Sequence, residues 1–288
     1  MKYLKTIRLK QWFKNILIFV AMFGANEINI SNIFVLFQIF IGFSSIVSST
    51  YIYNDFKDIE ADKKHPEKRN RPIASGEISI KTGKLLLIVF FLLGKLILFF
   101  TNPVLLFFSF SYVVITILYS TKLKFIKYLD IISVSLLFIL RIFLGAYAIS
   151  VPISSSLILF VFFTSLGLAS GKKLSIYLND EVGISKVKLF LKSSYKEKEL
   201  LFIVRLSSLL SFVTYSTWIF LIKYLNIFDI STIFLILSCI FLGIFQLLFI
   251  RKTNSGLTEE IIETTINNYD LLTTTVLFGL TSGLGLII

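Results

Sequence analysis

The sequence predicts an all-α, polytopic membrane protein. Three observations carry that expectation: an apolar excess too large for one water-soluble core, apolar windows of spanning length that recur along the chain, and a regular alternation of basic and non-basic connections. Of 288 residues, 56% are hydrophobic and 16% charged, with a mean hydropathy of +0.84. No single soluble core hides so much apolar surface, so lipid is the main solvent. A bilayer core asks for about 20 mostly apolar residues per helix. Windows of that kind, bounded by charged or turn residues, fall at about nine places: roughly 13 to 25, 33 to 53, 85 to 101, 103 to 119, 127 to 149, 154 to 171, 200 to 222, 230 to 250 and 270 to 288. The first is the shortest and reads as tilted or partly interfacial. The segment Met1 to Lys14 is basic, yet the apolar run after it has no A-x-A-like site, so an uncleaved first helix is expected rather than a signal peptide. Thr101-Asn102-Pro103 makes a tight turn between the third and fourth spans, and Ser150-Val151-Pro152 ends the fifth.

The net charge of +12 sits in short segments between apolar spans, which points to membrane orientation and anionic ligands rather than nucleic acid. Lys2, Lys5, Arg8, Lys10 and Lys14 precede the first span; Lys57, Lys63, Lys64, Lys68, Arg69, Arg71, Lys81 and Lys84 follow the second. The next basic connections, Lys122 to Lys127, Lys172 to Lys198 and from Arg251, are each two spans further on. Connections around Glu27, Asn102, Ser150 and Asp229 carry almost no basic residues apart from Lys223. Basic loops stay in the cytoplasm, so the N-terminus is expected inside a plasma membrane and the C-terminus outside. The chain reads as one integral membrane domain, residues 1 to 288, whose long cytoplasmic connections, about 54 to 84 and 172 to 199, hold the polar chemistry. Cys239 is the only cysteine and lies in an apolar span, which excludes a disulfide framework and a thiol metal pair.

The first long connection opens NDFKDIEADKKHPEKRNRPIASG. If the second helix runs on past Tyr53, Asn54, Asp58 and Asp62 repeat every four residues on one face, with Asp55 at its edge. Stacked carboxylates repel, so a cation is expected between them, and oxygen ligands favour magnesium, which completes its shell with water and substrate phosphates. The plain alternative is a solvated helix end with Lys57, Lys63 and Lys64 as partners. Against it stand the regular spacing, the emergence from a membrane helix and the basic run that follows. An acidic row beside Lys68, Arg69 and Arg71 makes a diphosphate site. Pro66 and Pro72 stop the helix, and Ser75-Gly76 forms a turn that can offer backbone N–H groups to an anion. His65 reads as a solvated loop histidine.

NDxxDxxxD followed by RPxxSG resembles the first aspartate-rich motif of the UbiA-type prenyltransferase superfamily, which implies about nine helices around a central cavity. HPEKRNRPIASG and the opening RLKQWFKN (Arg8 to Asn15, including Lys14) resemble most the decaprenyl-phosphate phosphoribosyltransferase branch. Further matches to that branch are Tyr119, Ser120, Lys122, Lys124 and Asp130; Arg141 and Gly145; and Gly171, Lys172 and Lys173. The similarity covers roughly residues 5 to 180. Prenyl-diphosphate users carry a second aspartate-rich motif after the sixth helix, whereas this chain reads GKKLSIYLNDEVG there. Its Asp180 and Glu181 are adjacent and point about 100° apart on a helix, so they make no such clamp.

The resemblance implies magnesium-dependent transfer of 5-phosphoribose from phosphoribosyl diphosphate to polyprenyl phosphate in lipid-linked glycan biosynthesis. Asp55, Asp58 and Asp62 would act catalytically and, with Asn54, hold Mg2+. Asn54, Lys14, Lys68, Arg69, Arg71, Tyr119, Lys122, Lys124, Arg141 and Lys172 would bind substrate. Arg141 also qualifies on physical grounds, since a charge inside a span costs a few kcal/mol unless it faces a polar cavity or an ion-pair partner. Lys95, also within a span, is assigned no role and can snorkel. Glu259, Glu260 and Glu263 lie in an amphipathic surface stretch of unassigned role. The runner-up is transfer of an isoprenoid chain from a prenyl diphosphate to an aromatic or glycerol-phosphate acceptor. A transporter is the third reading, and it leaves the acidic row unexplained.

Overall fold

The computed structural model describes residues 2–64, 68–179, 186–223 and 229–288. Among these, all regular structure is helical. The order is α1 (Lys2–Thr6), a 3-10 stretch (Leu9–Phe19), α2 (Val20–Gly24), α3 (Ile30–Lys57), α4 (Ile59–Lys63), a 3-10 turn (Lys68–Asn70), α5 (Ile80–Thr101) and α6 (Leu105–Thr121). A second 3-10 turn (Leu123–Phe125) leads to α7 (Leu129–Ala148), α8 (Ser155–Leu178), α9 (Lys186–Ser194), α10 (Glu197–Lys223), α11 (Ile230–Asn254), α12 (Ile261–Asn267) and α13 (Tyr269–Ile287). Side-chain caps fix several starts: Asn29 Oδ1 accepts from Asn32 N (2.9 Å) before α3 and Ser79 Oγ from Thr82 N (3.1 Å) before α5. Ser154 Oγ accepts from Leu157 N (3.2 Å) before α8. Each such cap is worth about 1 kcal/mol.

Seven described helices, α3, α5, α7, α8, α10, α11 and α13, are long and apolar enough to cross a membrane, and α6 is apolar but shorter. Together they take up every expected window but the first. The chain is therefore a multi-pass membrane protein, though nine spans are not confirmed. The window near the N-terminus is a 3-10 stretch followed by the short α2. Its polar groups explain the difference. Trp12 Nε1 donates to Ser48 Oγ (2.9 Å), Asn15 Nδ2 to Ser44 Oγ (2.8 Å), and Ser48 Oγ to the Ile7 carbonyl (2.7 Å). These bonds lay the segment along α3 in a conformation that seldom exceeds a few residues.

Packing divides the chain into two compact units. Unit 1 comprises Met1–Met22, Glu27–Thr121 and Leu140–Pro152; unit 2 comprises Phe23–Asn26, Lys122–Ile139 and Ile153–Ile288. In unit 1, α3 and α5 meet where Gly42 faces Gly94. A Cβ on Gly94 would run into the Gly42 carbonyl, and one on Gly42 would stand 2.9 Å from Ile97 Cγ2. Small residues let the backbones approach, the usual source of helix affinity in lipid. In unit 2, α8 packs on α10 and α11 on α13, and Ile131, Leu174, Leu191, Tyr195 and Leu200 form a buried cluster.

The expected Arg-x-x-x-Gly step on α7 has a packing reason at its second member. A Cβ on Gly145 would coincide with the backbone carbonyl of Ile18 in the 3-10 stretch. Backbone cannot yield as a side-chain tip can, so Gly145→Val should lower stability by about 3 kcal/mol, the upper end of overpacking costs. Thermal melting in detergent checks it; a variant melting like the parent would show that the 3-10 stretch is not held against α7.

Candidate functional site

The site lies in unit 1 where α3 ends. α3 carries Asn54 and Asp55 in its last turn, and the helix breaks at Asp58, whose φ of −102° and ψ of 8° lie outside the helical region. The Asp58 N–H still donates to the Asn54 carbonyl (3.0 Å), and its own carbonyl accepts from Asp62 N (2.7 Å). The chain thus continues as α4 with a small change of direction. Residues seven apart fall on one face, so Asp55 and Asp62, rather than the expected row of Asn54, Asp58 and Asp62, form the buried acidic pair, each side chain 4% exposed.

Two arginines neutralise the pair. Arg71 Nη1 stands 2.6 Å from Asp62 Oδ2 and 3.3 Å from Asp55 Oδ1. Arg8 also donates to Asp55 Oδ1 while its guanidinium lies 4.8 Å from the centre of the Tyr51 ring. Arg71 is brought back by a turn anchored on buried Pro72, Ile73 and Ala74. Arg8 reaches Asp55 from the other side with a left-handed backbone, φ 53°, a conformation that costs roughly 1–2 kcal/mol outside glycine. It was absent from the expected site. Its only sequence signal was its place at the head of RLKQWFKN.

The remaining expected residues fall as follows. Lys68 and Arg69 are exposed, as is Lys122, while Lys14, Asp58, Tyr119, Lys124 and Lys172 are partly buried. Lys172 pairs with Glu260 at 3.0 Å, which gives the C-terminal acidic stretch a contact the sequence did not foresee. Arg141 is 4% exposed. Its Nε donates to Asn15 Oδ1 (2.8 Å), its Nη2 to the Tyr112 hydroxyl (3.3 Å), and its guanidinium lies 5.1 Å from the Tyr112 ring centre. These partners are neutral, and they tie α7 to the 3-10 stretch and α6 within unit 1. His65, Asp180 and Glu181 lie outside the described residues. The Ser75-Gly76 turn corrects one expectation. Ser75 N donates to the Arg71 carbonyl (2.8 Å), Gly76 N to the Ile73 carbonyl (3.3 Å) and Glu77 N to Ser75 Oγ (3.5 Å), so the turn closes on itself and presents no free N–H to an anion.

The donor set fits a hard divalent cation. All its atoms are oxygen, Asn54 Oδ1 is buried without a hydrogen-bond partner, and magnesium needs only one or two carboxylates. No group of three or more His, Cys, Asp or Glu residues suited to a metal occurs among the described residues, so a cation here would draw part of its shell from water and substrate oxygens.

The UbiA prenyltransferase family model matches residues 15–261. A decaprenyl-phosphate phosphoribosyltransferase of Mycolicibacterium smegmatis is 31% identical over 223 residues, covering 75% of this chain and 70% of its own. An uncharacterised protein, y4nM, of Sinorhizobium fredii is 36% identical over 170 residues, 58% of this chain but only 33% of the relative, so this chain spans about a third of that protein. A UbiA homolog from Archaeoglobus fulgidus bound to GPP and Mg2+ has the same fold, with a TM-score of 0.64, 16% identity, and coverage of 100% of this chain and 99% of that one.

Removing the Arg71 guanidinium takes away the ion pair of buried Asp62 and leaves Asp55 with Arg8 alone. Arg71→Ala should destabilise by roughly 3 kcal/mol, and Asp62→Asn in the same chain should restore part of it, because the uncompensated charge goes with the acid. Melting of the two single variants and the double decides it; additive effects would mean that the pair does not interact.

Proposed function

The chain belongs to the UbiA prenyltransferase family, and from that premise we propose that it transfers 5-phosphoribose from phosphoribosyl diphosphate to polyprenyl phosphate, with magnesium, at the cytoplasmic membrane face, releasing diphosphate. The observation that carries the reading is the arginine-held acidic pair Asp55–Asp62 at the end of a membrane helix, in a chain 31% identical to a decaprenyl-phosphate phosphoribosyltransferase. A site combining oxygen ligands for a hard cation with fork-shaped guanidinium donors suits a diphosphate. The soluble donor and the lipid acceptor both require access to a membrane-embedded protein, which the apolar helices supply.

Asn54, Asp55, Asp58 and Asp62 would hold the cation; once bound, it supplies charge neutralisation for the departing diphosphate. Arg71 and Arg8 keep Asp55 and Asp62 oriented, and with Lys68 and Arg69 they neutralise donor oxygens. Lys14, Tyr119, Lys122, Lys124, Arg141 and Lys172 are assigned to phosphate and sugar contacts. In the transfer itself, an acceptor phosphate oxygen forms a bond to the ribose anomeric carbon as that carbon's bond to the diphosphate oxygen breaks, the electron pair leaving with the diphosphate. The acceptor phosphate is already an anion at neutral pH, so the chain has no proton to remove and needs no general base. Transfer of an isoprenoid chain is the second reading, favoured by the GPP-bound relative of the same fold.

Purified protein with magnesium, labelled phosphoribosyl diphosphate and polyprenyl phosphate should yield a labelled lipid, and chelation of the metal should stop it. Asp58→Ala should lower transfer by about 100-fold or more while melting near the parent, since the Asp58 side chain is only partly buried. Near-normal turnover of that variant would remove the metal assignment. No labelled lipid, with consumption of geranyl diphosphate instead, would favour prenyl transfer.

A further inference from the structure

α5 carries a lysine inside a membrane-crossing helix that the proposed transfer does not use. Lys95 follows Gly94, whose approach to Gly42 and Ile46 sets that side of α5 against α3. The next residue lies about 100° further round the helix, and there Lys95 meets α6: its ammonium donates to Ser109 Oγ at 2.9 Å. The same ammonium stands 5.7 Å from the centre of the Phe91 ring. Ser109 is fully buried, and its own proton goes to the Leu106 carbonyl at 3.0 Å. Gly83 meets Phe56 and Gly94 meets Gly42, so α3 and α5 run antiparallel, and Lys95 belongs to the end of unit 1 remote from the acidic pair. Lys95 is six residues before the end of α5 and Ser109 four after the start of α6. The ammonium therefore lies roughly 6–9 Å inside the helix ends.

One hydroxyl does not neutralise an ammonium, which carries three N–H donors. Among the described residues no carboxylate pairs with Lys95, and a charge held in hydrocarbon calls for a counter-charge or a path to water. Beside it α5 and α6 leave an open-sided cleft of about 770 Å3, walled by Phe91, Leu92, Leu96, Phe99 and Phe110. Leu92, Leu96, Phe99 and Phe110 are exposed on that face. The cleft is thus apolar along its length with one cation in it, the complement of an anionic amphiphile. A membrane helix docking there would need close backbone approach, which small residues provide in lipid, as Gly42 and Gly94 do between α3 and α5. These walls are Leu and Phe, whose uneven surface suits flexible acyl chains.

We propose that the α5–α6 cleft holds an acidic phospholipid, its phosphate against Lys95 and an acyl chain along the Leu and Phe walls. From 6–9 Å inside the helix ends a lysine stem can reach headgroup level, with its methylenes left in the apolar cleft. Ser109 is a positioning residue that keeps the ammonium at the cleft. The lipid lies in the leaflet opposite the acidic site, so its binding does not depend on which group the chain transfers. A ligand that binds the folded chain stabilises it by mass action, and stability then follows the acidic-lipid content of the membrane.

The full chain, purified in a neutral detergent and stripped of lipid, is titrated with phosphatidylglycerol and separately with phosphatidylcholine. Native mass spectrometry counts the bound copies, and melting temperature is followed alongside. The parent should hold at least one phosphatidylglycerol that phosphatidylcholine does not replace, and its melting temperature should rise with the acidic lipid. Lys95→Met keeps an unbranched apolar stem, so the helix is not put at risk, and it should weaken that copy at least about fivefold. Lys95→Arg should keep the copy, and Ser109→Ala should weaken it less than Lys95→Met does. Lys81→Met, at the other end of α5, should also keep it. Equal phosphatidylglycerol binding and equal melting shifts in the parent and Lys95→Met overturn the site. An equal loss in Lys81→Met overturns it as a general effect of charge. A parent oligomer that Lys95→Met dissolves, with no selective loss of lipid, overturns it in favour of a carboxylate on a neighbouring helix.

Discussion

The clamp of Arg8 and Arg71 on Asp55 and Asp62 is the interaction around which the polar end of unit 1 is arranged. Both acids belong to short helical turns at the end of an apolar helix, and both side chains are all but inaccessible to water. Desolvating a carboxylate costs several kcal/mol unless a cation stands against it. That requirement dictates where the flanking chain must go. The basic segment after α4 has to fold back far enough for Arg71 to lie between the two acids, and buried Pro72, Ile73 and Ala74 hold it there. The N-terminal segment has to approach from the other side, with Arg8 in a left-handed conformation for which only a compensating interaction accounts.

From Arg8 the same constraint propagates into the packing of unit 1. The residues after it run as a 3-10 stretch along α3, held by Trp12 on Ser48 and Asn15 on Ser44. Asn15 also accepts from the Arg141 guanidinium, whose other donor reaches Tyr112. The backbone from Arg8 to Asn15, pinned on α3, therefore joins the acidic pair to Arg141 on α7 within unit 1. Gly145, one turn beyond Arg141, gives up its side chain so that the Ile18 carbonyl can fit. In a lipid environment such polar ties are the specific part of the fold, since apolar packing alone has little preference between protein and acyl chains.

The sequence revealed the helices better than the contacts. Seven helices of crossing length and α6 fall within a few residues of their expected windows, because hydropathy over some 20 residues reports directly on the solvent a segment needs. The first window, the shortest, is a 3-10 stretch followed by α2 rather than one regular helix, because hydropathy is blind to Asn15 and Trp12 bonding sideways to serines. The acidic site was legible as a stretch but not as a pairing. Periodicity of four put Asp58 in the row, whereas the break at Asp58 leaves Asp55 and Asp62 facing one guanidinium. Arg8 and Tyr195, 47 and 65 residues from their carboxylate partners, carry no local signal of their role, since nothing in the intervening sequence records that the chain returns.

The two ways in which this chain buries acids differ in what they leave available. Asp55 Oδ1 takes both guanidinium contacts, so its charge is balanced by arginines whose side chains are 22% and 28% exposed. Charge held at that boundary is partly screened by water, and a guanidinium there can turn towards a phosphate without a large desolvation cost. At Asp130 the order is reversed. The acid is fully enclosed, its Oδ1 is pinned by a packed tyrosine, and the cation beside it is nearly as buried. Lys173 is held inside the protein against Asp130. The first arrangement suits ligands that displace and recruit flexible charges, as a diphosphate with its cation does. The second holds both charges in place inside the protein, so the two acids differ in how freely their cations can move although both stand beside basic side chains.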